Sequence, residues 1–267
     1  MSKLIRLIRA LIRKPSLVSA VIHDDRFWQA EFRRRFGHIR PLPQLPLTRF
    51  IGDETALDTI TFLGGGSLLS DLALLRGLAS QSRIRNYFEI GSWRGESLAA
   101  VLPCIDAATS LDLGTEDMQQ LGWDEQVRRQ MGVLVQASEK ITWLRGDSMQ
   151  FDFQQHAQQY DLVFIDGNHT YEYVRHDTKS VYRDLTHPRS VIVWHDYAHD
   201  PEQVRWEVYR GILDGLPASE HGHLFHIAHT KCAVLFRDHG MTDAAEVAFP
   251  QDVRQTWDVI IKRSAFP

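Results

Sequence analysis

Phe88-Glu89-Ile90-Gly91-Ser92-Trp93-Arg94-Gly95-Glu96-Ser97 reads as the end of a strand, a glycine-bearing turn and the start of a helix. A carboxylate stands two residues before Gly91, and Gly95 follows four residues after it. A backbone that turns this tightly without Cβ atoms lets a ligand lie against main-chain N–H groups. The neighbouring Glu89 indicates a ligand with a positive or hydroxyl-rich part, not a bare pyrophosphate.

From Tyr87 onward, short apolar strands alternate with helical stretches. Strands are expected at Tyr87–Ile90, Thr109–Leu113, Ile141–Arg145, Leu162–Ile165 and Ser190–Trp194. Helices are expected at Ser97–Leu102, Glu125–Ala137, Tyr171–Leu185 and Pro201–Leu213, and His223–Ile227 with Cys232–Arg237 forms a closing antiparallel pair. Such alternation implies an α/β domain, a doubly wound, mostly parallel sheet with right-handed crossovers and helices on both faces.

Upstream of the turn, Gly64-Gly65-Gly66-Ser67 leads into an apolar helix, Leu68–Leu78. No Lys-Ser/Thr pair follows the triple glycine, so a hinge or lid is expected there and not a phosphate loop. Residues 3–13 place Leu4, Leu7, Ile8, Leu11 and Ile12 on one helical face and Arg6, Arg9 and Arg13 on the other. Pro15 should stop this helix. A second basic helix is expected from Asp25 to Phe36, and the proline-rich stretch Pro41–Pro46 is the best linker candidate.

Three regions follow: residues 1–60 as an N-terminal helical extension with its linker, 61–240 as the main domain, and 241–267 as a helical tail. No apolar run approaches the ~18 residues needed to span a bilayer. The two cysteines, Cys104 and Cys232, make no disulfide framework and suit a reducing, cytoplasmic setting, and the start of the chain lacks signal-peptide character. Residues 1–40 hold ten Lys or Arg and three acids, whereas the rest holds 20 basic and 31 acidic residues. The acidic body argues against nucleic acid as a partner. The cationic amphipathic segment 1–14 allows peripheral membrane contact, and its apolar face favours a homodimer.

In an open parallel sheet, ligands bind at the carboxyl edge near the switch in strand order. The expected strand ends present Glu89, Asp112, Asp147 with Ser148, Asp166, and His195 with Asp196. Five adjacent ends with a carboxylate, beside a glycine turn, point to S-adenosylmethionine.

Phe88–Ser97, Asp161-Leu162-Val163-Phe164-Ile165-Asp166-Gly167-Asn168-His169-Thr170-Tyr171 and Val191-Ile192-Val193-Trp194-His195-Asp196-Tyr197 together resemble the class I S-adenosylmethionine-dependent methyltransferases. The resemblance runs from about Leu68 to Arg237 and is nearest to the methyltransferase domain 24 and macrolide-sugar O-methyltransferase branch. It implies a Rossmann-like, seven-stranded sheet and O-methylation of a small-molecule acceptor such as a sugar or glycoside. By position, Gly91, Ser92 and Gly95 would let the amino-acid end of the cofactor approach the backbone, with Glu89 orienting it. Asp112, 17 residues beyond Gly95, would hold the ribose hydroxyls, and Asp147 and Ser148 would meet the adenine. A dinucleotide enzyme is disfavoured, because Glu89 stands where its first glycine belongs.

Methyl transfer to a hydroxyl requires in-line attack and removal of the hydroxyl proton. Members of the resembling branch bind Mg²⁺ through acids at the fourth and fifth strand ends, here Asp166 and Asp196. His195 beside Asp196 departs from the acid pairs of that branch and softens the site. Without a metal, His169 or His195 becomes the general base, with Asp166 beside it. His221, His223, His226 and His229 cannot converge on one ion from an alternating strand. Two rival readings stand beside this one: a metal-dependent, cephalosporin-hydroxylase-like enzyme, and a non-catalytic cofactor-binding or scaffolding protein.

Overall fold

The computed structural model describes residues 3–13, 25–157, 159–237, 243–249, 251–253 and 255–263. The strands are β1 (Gln44–Leu45), β2 (Asn86–Ile90), β3 (Ala107–Asp112), β4 (Ile141–Arg145), β5 (Tyr160–Ile165) and β6 (Thr186–Trp194). They continue with β7 (Ala198–Asp200), β8 (Gln203–Val204), β9 (Leu224–Ile227) and β10 (Ala233–Leu235). The helices are α1 (Lys3–Arg13), α2 (Asp25–Phe36), α3 (Leu69–Ala79), α4 (Glu96–Val101), α5 (Thr115–Gln120), α6 (Glu125–Arg128), α7 (Tyr171–Ser180) and α8 (Trp206–Gly215).

The main sheet runs β1-β9-β10-β6-β5-β2-β3-β4, and β7 pairs with β8 in a separate hairpin. β2 pairs in parallel with β3 on one side and β5 on the other, so strand order switches at the strand that carries the glycine turn. β10 is antiparallel to β9, as the sequence predicts, and also to β6. The expected doubly wound, mostly parallel sheet is therefore present, with eight strands in place of seven.

The additional strand comes from the stretch read as a linker. Between Pro43 and Pro46, Gln44 and Leu45 pair in parallel with His226 and Ile227 of β9. His226 N–H donates to Pro43 O at 3.0 Å and Ala228 N–H to Leu45 O at 2.9 Å, while Leu42, Leu45 and Leu47 are buried. Prolines are tolerated at a sheet edge, where a missing N–H breaks no ladder.

Leu162-Val163-Phe164-Ile165 and Val191-Ile192-Val193-Trp194 are apolar throughout because both sheet faces are covered. Val163, Ile165, Ile192 and Trp194 pack in one core with residues of α2, α7 and α8. Leu162, Phe164, Val191 and Val193 pack on the other face with Leu74, Leu75 and Leu78 of α3. α2 docks through Phe32, whose ring lies 4.7 Å from Tyr209 and 5.1 Å from Trp206 of α8.

Several expected helices end differently. Glu125–Ala137 holds a helix only to Arg128, because Gly132 takes a left-handed φ of 66° and the chain then turns beneath the glycine loop. α7 closes in a π-helical turn, Val181–Leu185, and the β7–β8 hairpin displaces the start of α8 to Trp206. No helix occurs among the described residues of 241–267, where Ala245 instead bridges Gln44. The stop at Pro15 lies outside the described residues. α1 exposes Ile8 and Ile12, and among the described residues no helix is long and apolar enough to cross a membrane.

Candidate active site

Register brings the motif residues to one edge. Ile90 pairs with Leu111 and Ile165, and Ile165 with Trp194, so Gly91, Asp112, Asp166 and His195 all fall where β2, β3, β5 and β6 stop. Gly91 has φ 88°, and a Cβ there would stand 2.3 Å from the carbonyl oxygen of Asp166. The turn needs glycine in order to close against the β5 loop. Trp93 and Asp196 also have positive φ, 46° and 52°, an uncommon conformation for side chains of their kind that marks both loops as locally strained.

Glu89 lies fully buried beneath the turn. Tyr87 Oη and Ser97 Oγ donate to its Oε2 at 2.7 and 2.8 Å, and Ser110 Oγ lies 3.3 Å from Oε1. Burial pushes its carboxyl up to about 8 against the opposing hydrogen bonds from Tyr87 and Ser97. The acid expected to orient the cofactor thus supports the turn from below. Asp112 is also buried, accepting from Ser92 N at 2.7 Å, Ser92 Oγ at 2.8 Å, Ser110 Oγ at 3.0 Å and Arg145 Nη1 at 3.1 Å. Asp147 accepts from Met149 N at 3.0 Å and Tyr173 Oη at 3.1 Å, with Ser148 buried beside Asp177.

The remaining candidates form one charged cluster. His195 is 6% exposed, with Nε2 3.1 Å from Asp71 Oδ2. Its Nδ1 is 2.9 Å from Asp166 Oδ1, close enough for an ion pair but off the direction of a well-formed hydrogen bond. Burial opposes protonation of His195, but the carboxylates of Asp166 and Asp71 outweigh it and hold the pKa well above the ordinary value. His169 is the opposite case. Burial pulls its pKa below the ordinary 6.5 despite Asp196 and Asp166, and its Nε2 is 3.1 Å from Asp196 Oδ2. Asp196 also pairs with Lys231 and lies 3.7 Å from Arg205. Burial would raise Asp196, but His195, His169 and Lys231 hold it at about 2.

Asp166, His195 and Asp196 offer ligand atoms within 4.8 Å of one another, the one such group among the described residues. Asp166 and Asp196, the two acids expected to hold Mg²⁺, both belong to this group. An imidazole facing a carboxylate at each nitrogen keeps both protons and has no lone pair for a metal. Three carboxyl groups, Asp71, Asp166 and Asp196, already face three cations, His195, Lys231 and Arg205. Lys231 and Arg205 already offset the charge of Asp196, which disfavours a further divalent cation there. His226 is a fully buried strand residue, bonded to Gln44 and to Thr230 O at 3.0 and 2.8 Å, and shares no site with His221, His223 or His229.

Residues 88–197 match the family model described as a methyltransferase domain. The match runs from β2 to the loop after β6. A comparison with curated proteins finds no match. Solved structures similar in fold include the SAH-bound methyltransferase PaMTH1 of Podospora anserina, with 14% identity, 65% of this chain, 80% of that chain and a TM-score of 0.46. The precorrin 8w decarboxylase of Methanobacterium thermoautotrophicum aligns at 15% identity over 49% of this chain and 63% of that chain, with a TM-score of 0.35. SAM-bound CalS10, an amino pentose methyltransferase of Micromonospora echinaspora, aligns at 16% identity over 52% and 54%, with a TM-score of 0.36. The chain therefore spans less than two thirds of the last two structures it aligns with.

The site draws on partners outside the matched segment that strand-end reasoning missed. Asp71 comes from α3, and Lys231 from the turn between β9 and β10. A lone acid amid Leu69, Leu72, Leu74 and Leu75 is a signal that could have singled out Asp71; Lys231 carried none. The arrangement supplies a bare-backbone turn, a neutral imidazole at the cleft edge and a carboxylate that orients it.

Proposed function

We propose that this protein transfers a methyl group from S-adenosylmethionine to a hydroxyl oxygen of a small molecule, a sugar or glycoside, with His169 as general base. The observation that carries the reading is the His169–Asp196 pair, 3.1 Å apart at the strand edge that holds the glycine turn. A carboxylate facing Nε2 fixes the proton on that nitrogen and leaves the Nδ1 lone pair free to accept another. His195, charged and locked between Asp71 and Asp166, has no lone pair for this task.

In the step itself, a lone pair of the acceptor oxygen attacks the sulfonium methyl carbon in line with the C–S bond. That bond breaks with its electrons remaining on sulfur, giving S-adenosylhomocysteine, and the hydroxyl proton passes to His169. Preorientation supplies much of the rate, and proton removal typically adds about 10²–10⁴-fold. Calorimetry with S-adenosylhomocysteine, followed by incubation of labelled donor with a glycoside panel, tests the reading. Donor binding with label appearing in a glycoside is expected; a properly folded protein that binds no donor overturns it.

A further inference from the structure

The segment Thr61–Gly66 lies before the matched domain, yet it is fastened to the glycine turn by two buried charged residues of that turn. Glu96 Oε1 accepts from Thr61 N at 3.0 Å and also from Thr61 Oγ1. Arg94 Nη2 donates to Leu63 O at 3.2 Å and Gly64 O at 3.1 Å. Gly66 lies against the same carboxylate, where a Cβ would stand 2.6 Å from Glu96 Oε2. Thr59 and Phe62 hold positive φ, 64° and 54°, so the segment takes its path at a cost in backbone strain.

Arg94 is 3% exposed; its Nη2 lies 3.8 Å from Glu96 Oε2, but its Nε has no hydrogen-bond partner. A buried guanidinium donor left unmade is costly, and the group that best completes it is a carboxylate. The amino-acid end of S-adenosylmethionine carries one, and on the donor reading above that end would approach the backbone at the glycine turn.

Resting on the donor reading above, we infer that Thr61–Gly66 forms the outer wall of the donor site and that Arg94, which anchors this wall, also binds the donor's carboxylate. Glu96 holds the wall shut through Thr61. The wall thereby recognises the amino-acid end of the donor, while its adenosine is left to other residues of the strand edge.

Two ligands separate this from general loosening of the fold. S-adenosylhomocysteine has the amino-acid end, and 5′-methylthioadenosine lacks it. Arg94→Met is expected to weaken S-adenosylhomocysteine about 10- to 100-fold while leaving 5′-methylthioadenosine within about twofold, with Arg94→Lys between. Thr61→Val is expected to speed S-adenosylhomocysteine release about fivefold, the loss of one hydrogen bond. Equal weakening of both ligands, or no change with either, overturns the inference. Should Arg94→Met fail to fold, Arg94→Lys and Thr61→Val decide it by the same readouts. Failure of the wild-type protein to bind S-adenosylhomocysteine overturns instead the donor reading on which the wall rests.

Discussion

Ser92 is bonded to Asp112 twice, through its amide at 2.7 Å and its hydroxyl at 2.8 Å. The end of β3 is thereby fixed to the glycine turn after β2. Asp112 is shared between this turn, Ser110 and Arg145. Asp112→Ala leaves the buried Ser92 amide unpartnered and should cost about 1–3 kcal/mol of stability. Affinity for S-adenosylhomocysteine should fall at least about tenfold, since the turn loses its anchor as well as a ligand carboxylate. Calorimetry and thermal unfolding check the pair of effects; unchanged affinity with lowered stability would leave Asp112 as a turn anchor alone.

Glu89 makes the protein's stability depend on pH. Its carboxyl is raised from 4.5 to about 8 in the folded protein, chiefly by burial. A folded state that holds a proton more tightly than the unfolded chain loses stability as pH rises across that window. Between 4.5 and about 8 the unfolding free energy should therefore decline, by on the order of a few kcal/mol at most. Glu89→Gln keeps the shape and the bonds to Tyr87 and Ser97 but removes the ionisation. Urea unfolding across this range should give a flatter profile for the variant, which overtakes wild type at the alkaline end.

What the sequence made legible follows from where the physics is local. β5 and β6 announced themselves because doubly buried strands must be apolar at consecutive positions. The glycine turn was legible because only glycine tolerates a carbonyl at 2.3 Å from its Cβ position. The chemistry of the cluster was not local. Asp71 reaches His195 across 124 positions and the Lys231 amide across 160, and no spacing rule encodes such pairs. Hence the strand-end rule found Asp166, His195 and Asp196, and the motif Asp161–Tyr171 added His169, but neither could assign protonation states, which depend on Asp71 and Lys231. The same limit explains β1. A proline-rich stretch reads as a linker until the edge of β9 is there to receive it.

Charge balance at Asp196 predicts indifference to divalent metal. Lys231 and Arg205 already compensate this carboxylate. Chelation with EDTA should leave methyl transfer and donor binding unchanged, and added Mg²⁺ should not raise either. Lys231→Met should create the opposite situation, an undercompensated carboxylate pair that gains affinity for a divalent cation. Isothermal titration of wild type and variant with Mg²⁺ reads this directly; binding by the wild type at ordinary concentrations would overturn the charge argument.

His169 fixes the sign of the pH–rate profile. A general base acts when unprotonated, and burial keeps this imidazole below its ordinary 6.5. The rate should therefore rise with pH along a limb centred below that value and level off at neutrality. His195 is protonated throughout the same range and contributes no limb of its own. His169→Gln preserves a polar side chain but cannot accept the proton, so it should abolish the limb and cost about 10²–10⁴-fold in kcat. Donor affinity should remain within about twofold, because the ring faces Asp196 and not the glycine turn. Asp196→Asn keeps the imidazole but removes the charge that selects its tautomer, and should also slow the step while shifting the limb to still lower pH. A profile measured on the glycoside that accepts the label separates these outcomes: a limb that survives His169→Gln assigns the proton to another group.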